Sequence, residues 1–360
     1  MCISDILKRA IHCEELSVAE GTILYEQAPL SQLIFVANEL RKHHVPGQKV
    51  TWQIDRNVNI TNVCIAGCKF CNFHCGLRSS KAYITSIKEY RQKIDEMLYL
   101  GGNQLLLQGG LHPKLGLEFY TSLFSELKQL YPDVNLHALG PPEIAHIARL
   151  EGMTYKEVLV ALVDAGLGSL PGGGAEILVD RVRRELSPGK PDSKAWLDVM
   201  AEAHKLGLLT SATMMFGHIE TIEERMEHLV NLRNLQNHKP KDTIGFSAFI
   251  CWPYQGKRTK LERMGVGTSV TTNEYVRMVT LGRIMLPNIR HIQASWLTTG
   301  VEAAQLCLHA GADDMGSIMI EENVVSAAGS STSLDAKGMQ RVITEAGFIP
   351  QLRDQAYNSI

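Results

Sequence analysis

The sequence QLLLQGGLHPKLGLEFYTSLFSELKQLYPDVNLHAL, at residues 104–139, contains one complete strand–helix–strand pattern. Its first and last parts, Gln104–Gln108 and Val134–Leu139, are short apolar runs of the length of a buried strand. Between them, residues 116–130 repeat apolar side chains at the spacing of an amphipathic helix. This order predicts a βαβ unit, in which the two strands are parallel and the helix covers one face of the sheet.

The same pattern recurs on both sides of this unit. Further apolar or β-branched runs alternate with loops and helical patterns, and they are Val58–Val63, Gly168–Leu170, Thr210–Met215, Ile244–Ile250, His291–Trp296 and Ala312–Met315. Strand and helix in such alternation predict an α/β fold, a closed (β/α)8 barrel of the TIM type. A doubly wound open sheet is the alternative architecture.

The two ends of the chain differ from the alternating region. Residues 1–50 read as helices and predict an N-terminal helical segment packed on the barrel. Residues 51–333 form the predicted barrel, and residues 334–360 form a predicted C-terminal helical tail. In a barrel of this type, functional side chains lie in the loops that follow the strands, at the carboxyl end of the barrel.

The composition restricts the class of protein. The chain has 36 basic and 38 acidic residues, a formal net charge of −2, so no excess of positive charge indicates a nucleic-acid partner. No apolar run reaches the roughly 18 residues that a membrane span requires. The first residues lack the basic start and the apolar segment of a signal peptide. We therefore expect a cytoplasmic location.

Half of the eight cysteines lie close together, at Cys64, Cys68, Cys71 and Cys75. Thiolates bind iron and zinc, and the spacing C-x3-C-x2-C allows the first three to surround one metal centre. Three thiolates occupy three corners of a [4Fe–4S] cube and leave the fourth iron open for an exchangeable ligand. If Cys75 is a fourth ligand, the alternative is a non-catalytic protein that binds zinc or transfers electrons through a four-cysteine site.

The spacing of Cys64, Cys68 and Cys71, with the aromatic Phe70 before the last of them, resembles the motif of the radical S-adenosylmethionine (SAM) superfamily. The resemblance implies that these cysteines bind a [4Fe–4S] cluster whose open iron holds SAM, and that Phe70 belongs to the cofactor site. In that superfamily, electron transfer into SAM yields a 5′-deoxyadenosyl radical, which abstracts a hydrogen atom from the substrate.

Two glycine-containing loops and an arginine are further candidates for SAM binding. Gly109 and Gly110 follow the second predicted strand, where glycine lets the backbone approach a ligand closely. A glycine-rich loop after the fourth strand ends in Glu176, whose carboxylate is suited to the ribose hydroxyls or the ammonium group of SAM. An arginine is expected to pair with the SAM carboxylate. Three arginines follow this loop, namely Arg181, Arg183 and Arg184, and we predict that Arg184 binds SAM.

Polar side chains near other predicted strand ends are the candidates for catalysis and substrate binding. Glu143 and His218 lie in predicted loops after the third and fifth strands, and either is suited to accept a proton. Trp252 and Tyr254 follow the sixth strand and can form an aromatic wall, although core packing is their default role. The candidates for substrate contact are His137, Gly140, Gln293 and Ser295.

Within the superfamily, the chain resembles the dehypoxanthine futalosine cyclases of the futalosine route to menaquinone. The stretches that carry this resemblance are NVNITNVCIAGCKFC, LGGNQLLLQGGLHP, LHALGPPEI, AGLGSLPGGGAEILVDRVRRELSP, ATMMFGHIET, NIRHIQASW and EENVVSAAG. Pro141-Pro142-Glu143, Met214-Met215-Phe216 and Trp252-Pro253-Tyr254-Gln255 resemble the cyclases more than aminofutalosine synthase or the deazaflavin synthases. Gly140 stands where the cyclases are expected to carry a serine, which puts one hydrogen bond to the substrate in doubt.

The resemblance implies a substrate and a reaction. Dehypoxanthine futalosine is a ribose joined through a linker to a benzoate ring, and the radical would take a hydrogen from the ribose. The resulting carbon radical would add to the ring, and loss of one electron and one proton would restore aromaticity and give cyclic dehypoxanthine futalosine. Glu143 or His218 would accept the proton. A flavodoxin- or ferredoxin-like protein would reduce the cluster. Aminofutalosine synthase activity, in which the adenosyl group enters the product, is the alternative.

Overall fold

The computed structural model describes residues 2–267, 270–321 and 333–360. Within them the strands are β1 (Lys49–Gln53), β2 (Asp55–Asn59), β3 (Gln104–Gln108), β4 (Asn135–Ala138), β5 (Ser169–Leu170), β6 (Leu209–Phe216), β7 (Phe246–Pro253), β8 (His291–Gln293), β9 (Asp314–Ser317) and β10 (Ile349–Leu352). The helices are α1 (Ile3–Ile11), α2 (Val18–Gln27), α3 (Leu30–His44), α4 (Ile87–Tyr99), α5 (Leu117–Leu130), α6 (Pro141–Glu151), α7 (Tyr155–Asp164), α8 (Asp180–Leu186), α9 (Ser193–Lys205), α10 (Ile222–Asn237), α11 (Lys260–Arg263), α12 (Thr272–Met285), α13 (Trp296–Thr299), α14 (Val301–Leu308) and α15 (Ala336–Glu345).

These strands form one parallel sheet in the order β10-β1-β9-β8-β7-β6-β5-β4-β3-β2. β1 continues into β2 through the single residue Ile54, so the chain itself joins the β9 side of the sheet to β3. The backbone N–H of Ile318 donates to Gln53 at 3.1 Å, which continues the contact on the β9 side. The sheet therefore curls into a TIM-like α/β barrel, and the predicted fold class is confirmed.

The ladder between β6 and β7 is the most extensive pairing in the sheet. It runs from Thr210 opposite Phe246 to Phe216 opposite Pro253. The two strands therefore support each other along their whole length, and both reach the carboxyl end of the barrel, which we call the mouth.

The two faces of the sheet have different chemistry, because successive side chains of a strand point to opposite sides. Outward side chains such as Leu105, Leu107 and Phe216 are fully buried under helices. Inward positions include Asn57 and Gln104, which are polar. The apolar core thus lies between the sheet and the helices, and the barrel interior is left for polar contacts.

The N-terminal helices contact the helices and loops on the outside of the barrel. Tyr25 of α2 donates a hydrogen bond to Glu274 at the start of α12, at 3.0 Å. Arg41 of α3 donates to the backbone carbonyl of Ala312 at 3.0 Å. None of the helices in the described ranges is long and apolar enough to cross a membrane.

The two ends of the barrel region differ in detail from the predicted elements. β1 lies at the junction that the sequence predicts to be the end of the helical segment, and β2 ends at Asn59, whereas the sequence predicts a strand over Val58–Val63. After α15, the predicted helical tail contains β10, which pairs in parallel with β1. The domain boundaries at residues 50 and 333 stay predictions.

Residues after β10 fill the amino end of the barrel, opposite the mouth. The buried Arg353 donates to Asp314, at 2.6 Å and 3.0 Å, and to Gln53 at 2.8 Å. Tyr357 stacks on His291 with 3.6 Å between ring centroids and 5° between ring planes. The barrel is therefore closed by a buried ion pair and an aromatic stack at this end.

Candidate active site

Space remains inside the barrel near the mouth. Leu106 and Gln108 of β3, Ile250 and Trp252 of β7 and Gln293 of β8 point inward, yet each is partly exposed. An inward side chain of a barrel strand is exposed only to space within the barrel. This cavity lies between the loops that the sequence predicts to be functional, and its wall combines apolar, aromatic and carboxamide groups.

Backbone strain marks the same end of the barrel. Leu139 after β4, Glu176 after β5 and Met319 after β9 have left-handed backbone, with φ of 57°, 43° and 48°. A residue other than glycine held there costs about 1–3 kcal/mol, and such strain persists where the surrounding structure enforces it. Its concentration after three strands supports a functional site at the mouth.

The cysteine loop lies directly above β2. The Cys64 sulfur accepts hydrogen bonds from the backbone N–H groups of Ala66, at 3.4 Å, and Leu111, at 3.3 Å. Burial opposes ionisation of Cys71, but hydrogen bonds from the His74 side chain and from backbone N–H groups outweigh it and lower the pKa of this thiol. Burial raises the pKa of Cys68 despite the positive charge of a nearby lysine. The loop thus supplies three thiols and the N–H donors that stabilise thiolates.

Cys75 is bound into this loop through its backbone. Its carbonyl accepts from the Cys64 N–H at 3.1 Å, and its own N–H donates to Asn62 at 2.9 Å. These bonds give Cys75 a structural role that needs no metal.

Gly110 is required by close packing at the cysteine loop. A Cβ at this position would lie 2.2 Å from the Val63 carbonyl oxygen and 2.7 Å from Cys64 Cβ. At Gly109 a Cβ would meet the Thr61 backbone nitrogen at 3.1 Å. The two glycines therefore fix the β3 end against the cysteine loop, and their role toward SAM stays a prediction.

Glu176 lies in a buried group of charges beside the cysteine loop. Lys190 donates to Glu176 Oε1 at 2.7 Å and lies 5.4 Å from the centre of the Phe70 ring. Burial disfavours the charged amine, but the neighbouring Cys68 and Glu176 outweigh it and raise the pKa of Lys190. No described residue donates a hydrogen bond to the buried Glu176 Oε2. One carboxylate oxygen is therefore held in place and the other is left without a donor.

The three candidate arginines separate in the structure. Arg183 is buried and donates to the backbone carbonyls of Ala175, at 2.6 Å, and Pro191, at 3.0 Å. Arg181 pairs with Glu224 on the surface. Arg184, the arginine predicted to bind SAM, lies exposed on α8. The arginine that the fold turns inward is thus Arg183, and SAM binding by Arg184 stays a prediction.

Glu143 lies in the first turn of α6 and not in a loop, so its predicted local structure is wrong. Pro141 and Pro142 begin this helix, where proline has no N–H to lose. The backbone N–H groups of Glu143 itself, Gly109 and Gly140 favour the charged form of the Glu143 carboxyl group and lower its pKa. Burial nevertheless dominates and raises its pKa to about 7. The structure thus places a carboxyl group that exchanges protons near neutral pH between the ends of β3 and β4.

His218 is engaged within its own loop after β6. Its Nδ1 lies 2.8 Å from Glu220 Oε2, and its Nε2 lies 2.9 Å from the Met215 carbonyl oxygen. The Glu220 carboxylate also pairs with Arg225 at 2.7 Å. Burial works against ionisation of Glu220, but His218, Arg225 and the Gly217 N–H together lower its pKa to about 2. The geometry makes His218 part of a hydrogen-bonded network within its loop, and proton transfer by His218 or Glu143 stays a prediction.

The predicted substrate contacts are spread over different depths of the barrel. His137 is buried, bonds to the Ser169 hydroxyl at 2.7 Å, and has a pKa lowered by burial to about 3. Gln293 is partly exposed at the end of β8. Ser295 bonds to Thr298 at 2.9 Å. At Gly140 a Cβ would meet Glu143 Oε2 at 3.2 Å.

Two family models match adjacent parts of the chain. The model described as Radical SAM superfamily matches residues 58–232, and the model described as CofH/MqnC C-terminal region matches residues 243–360. The cyclic dehypoxanthine futalosine synthase of Streptomyces coelicolor is 38% identical, with 99% of this chain and 89% of that protein aligned.

The chain belongs to the radical SAM superfamily.

Relatives with other names match this radical SAM chain nearly as well. The aminodeoxyfutalosine synthase of Thermus thermophilus is 36% identical, with 99% of this chain and 95% of that protein aligned. The 5-amino-6-(D-ribitylamino)uracil--L-tyrosine 4-hydroxyphenyl transferase of Archaeoglobus fulgidus is 39% identical over 90% of this chain and 92% of that protein. Sequence identity therefore establishes the superfamily but does not distinguish the substrates, which have to be argued from the site.

Two solved structures share the fold. Methylornithine synthase matches with a TM-score of 0.74 and 18% identity, over 98% of both chains. The FeFe-hydrogenase maturase HydG of Carboxydothermus hydrogenoformans also has a TM-score of 0.74, at 16% identity, over 99% of this chain and 80% of that one.

A radical SAM protein uses a [4Fe–4S] cluster and SAM, and the residues present fit both. Within the described ranges, no three His, Cys, Asp or Glu side chains converge closely enough to hold a single metal ion. The three thiols share one loop, and backbone N–H groups donate to the Cys64 sulfur, which suits thiolate ligation of a cluster. Glu176 Oε2 accepts no hydrogen bond from the described residues and lies 3.9 Å from Arg183 Nη1, and it suits the ammonium or hydroxyl groups of SAM.

Lys190 is the site residue that the sequence did not indicate. It lies 14 positions after Glu176 in the turn Ser187-Pro188-Gly189-Lys190, which carries no periodic pattern. The sequence signal for Lys190 was its position after a glycine-rich loop. That position does not reveal that the turn folds back to Ala66, whose carbonyl accepts a hydrogen bond from the Gly189 N–H at 2.9 Å.

Proposed function

We propose that this radical SAM enzyme converts dehypoxanthine futalosine to cyclic dehypoxanthine futalosine in menaquinone biosynthesis. The observation that carries the proposal is Glu143, a carboxyl group with a pKa of about 7 between the ends of β3 and β4. Ring closure onto an aromatic ring has to release a proton, and a group of this pKa accepts one at neutral pH. Two full-length relatives bearing the cyclase name, at 38% and 37% identity, support the same reaction.

Cysteines and charged residues at the mouth would hold the cofactors. Bound together, the cluster and SAM supply the 5′-deoxyadenosyl radical that begins the reaction. Cys64, Cys68 and Cys71 would ligate the cluster. Glu176 would accept a hydrogen bond from SAM through Oε2, and Lys190 would keep that carboxylate in position.

Residues of the cavity would bind and orient the substrate. Trp252 presents a partly exposed aromatic surface that suits the benzoate ring, and the Gln293 carboxamide suits a hydroxyl or carbonyl group. Gly140 leaves room beside Glu143. Holding the ribose and the ring in one cavity replaces an entropic cost that a free encounter would carry. His137 would contribute to substrate binding as a neutral imidazole. Ser295 would contribute through the segment that it begins after β8.

The relatives named aminodeoxyfutalosine synthase and 4-hydroxyphenyl transferase, at 36% and 39% identity, supply the competing activities. The discriminating experiment is anaerobic incubation of the cluster-loaded protein with SAM, a reductant and dehypoxanthine futalosine. A product two hydrogens lighter than the substrate, with free 5′-deoxyadenosine, is expected. Parallel incubations use an enolpyruvyl benzoate, or 5-amino-6-(D-ribitylamino)uracil with L-tyrosine. Turnover in one of these and none with dehypoxanthine futalosine would overturn the proposal.

A further inference from the structure

Three inward side chains lie next to one another at the same depth of the barrel interior, and two of them are polar. The register pairs Asn57 of β2 with Leu106 of β3, and Leu106 with His137 of β4. Paired residues of parallel strands present their side chains to the same face of the sheet. Leu106 is partly exposed to the cavity, so the cavity reaches this depth. We call the row formed by Asn57, Leu106 and His137 the floor.

The Asn57 carboxamide is the unusual member of the floor. The residue is only 4% exposed, and its Oδ1 accepts no hydrogen bond from the described residues. Branched apolar side chains usually fill the interior of a barrel of this type. A buried carbonyl oxygen without a donor destabilises the folded protein, and a leucine of similar volume would avoid that cost. The contacts within the fold therefore do not explain an asparagine here, and its oxygen is available to a donor group of a bound molecule.

The polar groups closest to Asn57 along the floor and above it are uncharged. Burial lowers the pKa of His137 to about 3, so its imidazole is neutral at neutral pH, and its Nδ1 bonds to the Ser169 hydroxyl at 2.7 Å. Gln108 lies two positions after Leu106, points inward and is partly exposed. Its Nε2 lies beside the glycine-rich loop, 2.5 Å from where a Cβ at Gly173 would be. Neutral donors and acceptors of this kind suit hydroxyl groups, which both donate and accept hydrogen bonds.

We propose that Asn57 binds a hydroxyl group on the ribose of the substrate, with Gln108 as a second contact to the same sugar. The Asn57 Oδ1 would accept the hydroxyl hydrogen, and the Gln108 carboxamide would bond to a neighbouring oxygen. This inference rests on the proposed function, whose substrate carries a ribose. It assigns the sugar to the side of the cavity formed by β2, β3 and β4. The aromatic ring is then left to the β7 side, which carries Trp252.

An ordered water molecule is the other group that can donate to a buried carbonyl oxygen. If a water alone satisfied Asn57, removal of the carboxamide would leave the affinity for the substrate unchanged. If a ribose hydroxyl satisfies it, the affinity depends both on Asn57 and on that particular hydroxyl group. The test therefore changes the side chain and the sugar separately and together.

The variant Asn57→Leu removes the carboxamide and keeps a side chain of similar volume. Because no described residue donates to the Asn57 Oδ1, this variant is expected to unfold at the same denaturant concentration as the parent or at a higher one. The matched control is Gln104→Met, which replaces another inward carboxamide by an apolar side chain. Gln104 donates to Gln355 at 3.1 Å and accepts from Asn135 at 2.6 Å, toward the amino end of the barrel. The control should therefore lose stability and keep its affinity for the substrate.

Anaerobic calorimetry measures the affinity of each cluster-loaded protein for dehypoxanthine futalosine, with SAM present and no reductant, so that no turnover occurs. Asn57→Leu is expected to bind about 5–10-fold more weakly than the parent, which is the effect of one hydrogen bond. Analogues that each lack one ribose hydroxyl group are measured in the same way. One of them should bind the parent about as weakly as Asn57→Leu binds the substrate. For that analogue, Asn57→Leu should show no further loss of affinity.

Unchanged affinity in Asn57→Leu would overturn the proposal, because the carboxamide would then have no role in binding. Losses that add up for the variant and for every analogue would also overturn it, since Asn57 would then contact none of the hydroxyl groups. If Asn57→Leu does not fold, Asn57→Ala removes the same oxygen without adding volume, and the same comparison with the analogues decides.

A second hydroxylated compound separates this inference from the proposed function. 5-Amino-6-(D-ribitylamino)uracil carries several hydroxyl groups on its ribityl chain, and its affinity is measured with the same proteins. If the parent binds this compound and not dehypoxanthine futalosine, the proposed function is overturned. A loss of affinity for it in Asn57→Leu would still identify Asn57 as a hydroxyl-binding residue. Binding of neither compound to the parent would overturn both proposals.

Discussion

Glu143 illustrates how a single partly buried residue links stability to chemistry. Its folded-state pKa of about 7 is raised from the usual 4.5. Its contribution to stability is therefore fully present below pH 4.5 and is lost as the pH rises through about 7. The same energetic cost that burial imposes on its charged form makes the carboxylate a ready proton acceptor.

Replacing Glu143 with glutamine keeps the size of the side chain and removes the titration. We expect Glu143→Gln to lose the rise in turnover that occurs near pH 7 in the parent, with a fall in rate of about 10²–10⁴-fold if the carboxylate is the general base. The unfolding free energy of Glu143→Gln should increase relative to that of the parent between pH 5 and pH 8. The control is Glu118→Gln at an exposed position of α5. A parent-like pH–rate profile in Glu143→Gln would exclude Glu143 as the base.

The cysteine loop predicts different outcomes for neighbouring thiols. Cys64→Ala, Cys68→Ala and Cys71→Ala should each lose the iron–sulfur absorbance and all SAM cleavage. Cys75→Ala should keep both, because Cys75 contributes to the loop through backbone bonds to Cys64 and Asn62. Iron analysis and anaerobic absorbance spectra provide the measurement. Loss of iron in Cys75→Ala together with zinc in the parent would favour the alternative of a four-cysteine site.

At the scale of an element, the loop between β6 and α10 depends on Glu220. This carboxylate accepts from the backbone N–H groups of Gly217, at 2.6 Å, and His218, at 2.9 Å, and it pairs with Arg225. Its pKa of about 2 lies below the usual 4.5. Its stabilising contribution is therefore present above pH 4.5 and is lost as the pH falls through about 2.

Glu220→Gln should destabilise the protein by about 1–3 kcal/mol at pH 7, because it removes charge-assisted hydrogen bonds from a buried loop. The difference in unfolding free energy between variant and parent should shrink as the pH approaches 2. Denaturant unfolding at several pH values measures it, with the exposed Glu223→Gln as the control. A difference that is independent of pH would contradict the assigned role.

The elements that the sequence predicts well are the deeply buried ones. The central strands are apolar runs with turn signals on both sides, so β3, β4, β6 and β7 are found within a few residues. β1 and β10 are missed because they include polar residues and lie at the end of the sheet order. Glu143 is misplaced because Gly140-Pro141-Pro142 suggests a loop, although proline also begins helices.

The candidate site likewise divides into residues that the sequence predicts and residues that it does not. The cysteine motif is local in sequence and predicts the cluster ligands directly. Lys190 and Glu143 gain their importance from neighbours distant in sequence, such as Cys68 and Gly109, and no pattern of spacing encodes those contacts.

For the whole molecule, the amino end of the barrel is a separate source of stability. Arg353→Ala should leave Asp314 buried without its main ion pair and should also remove a cation from the Tyr357 ring, 3.9 Å away. A loss of about 3–5 kcal/mol in unfolding free energy is expected. Cluster content and SAM cleavage at low temperature should be unchanged, because the mouth is at the opposite end. Arg353→Lys serves as the partial control, and loss of the cluster in Arg353→Ala would contradict this separation.

The pairing of β6 with β7 has a consequence for protein engineering. The first matched family segment ends at residue 232, within α10, and the second begins at residue 243, before β7. Each would expose one edge of this ladder if produced alone and would tend to aggregate. A chimera that keeps both strands in register has no such problem. Grafting residues 243–360 of a relative onto this chain would exchange Trp252 and Gln293 while retaining the cysteine loop and Glu176. Substrate choice would then be transplanted, and radical generation would remain native.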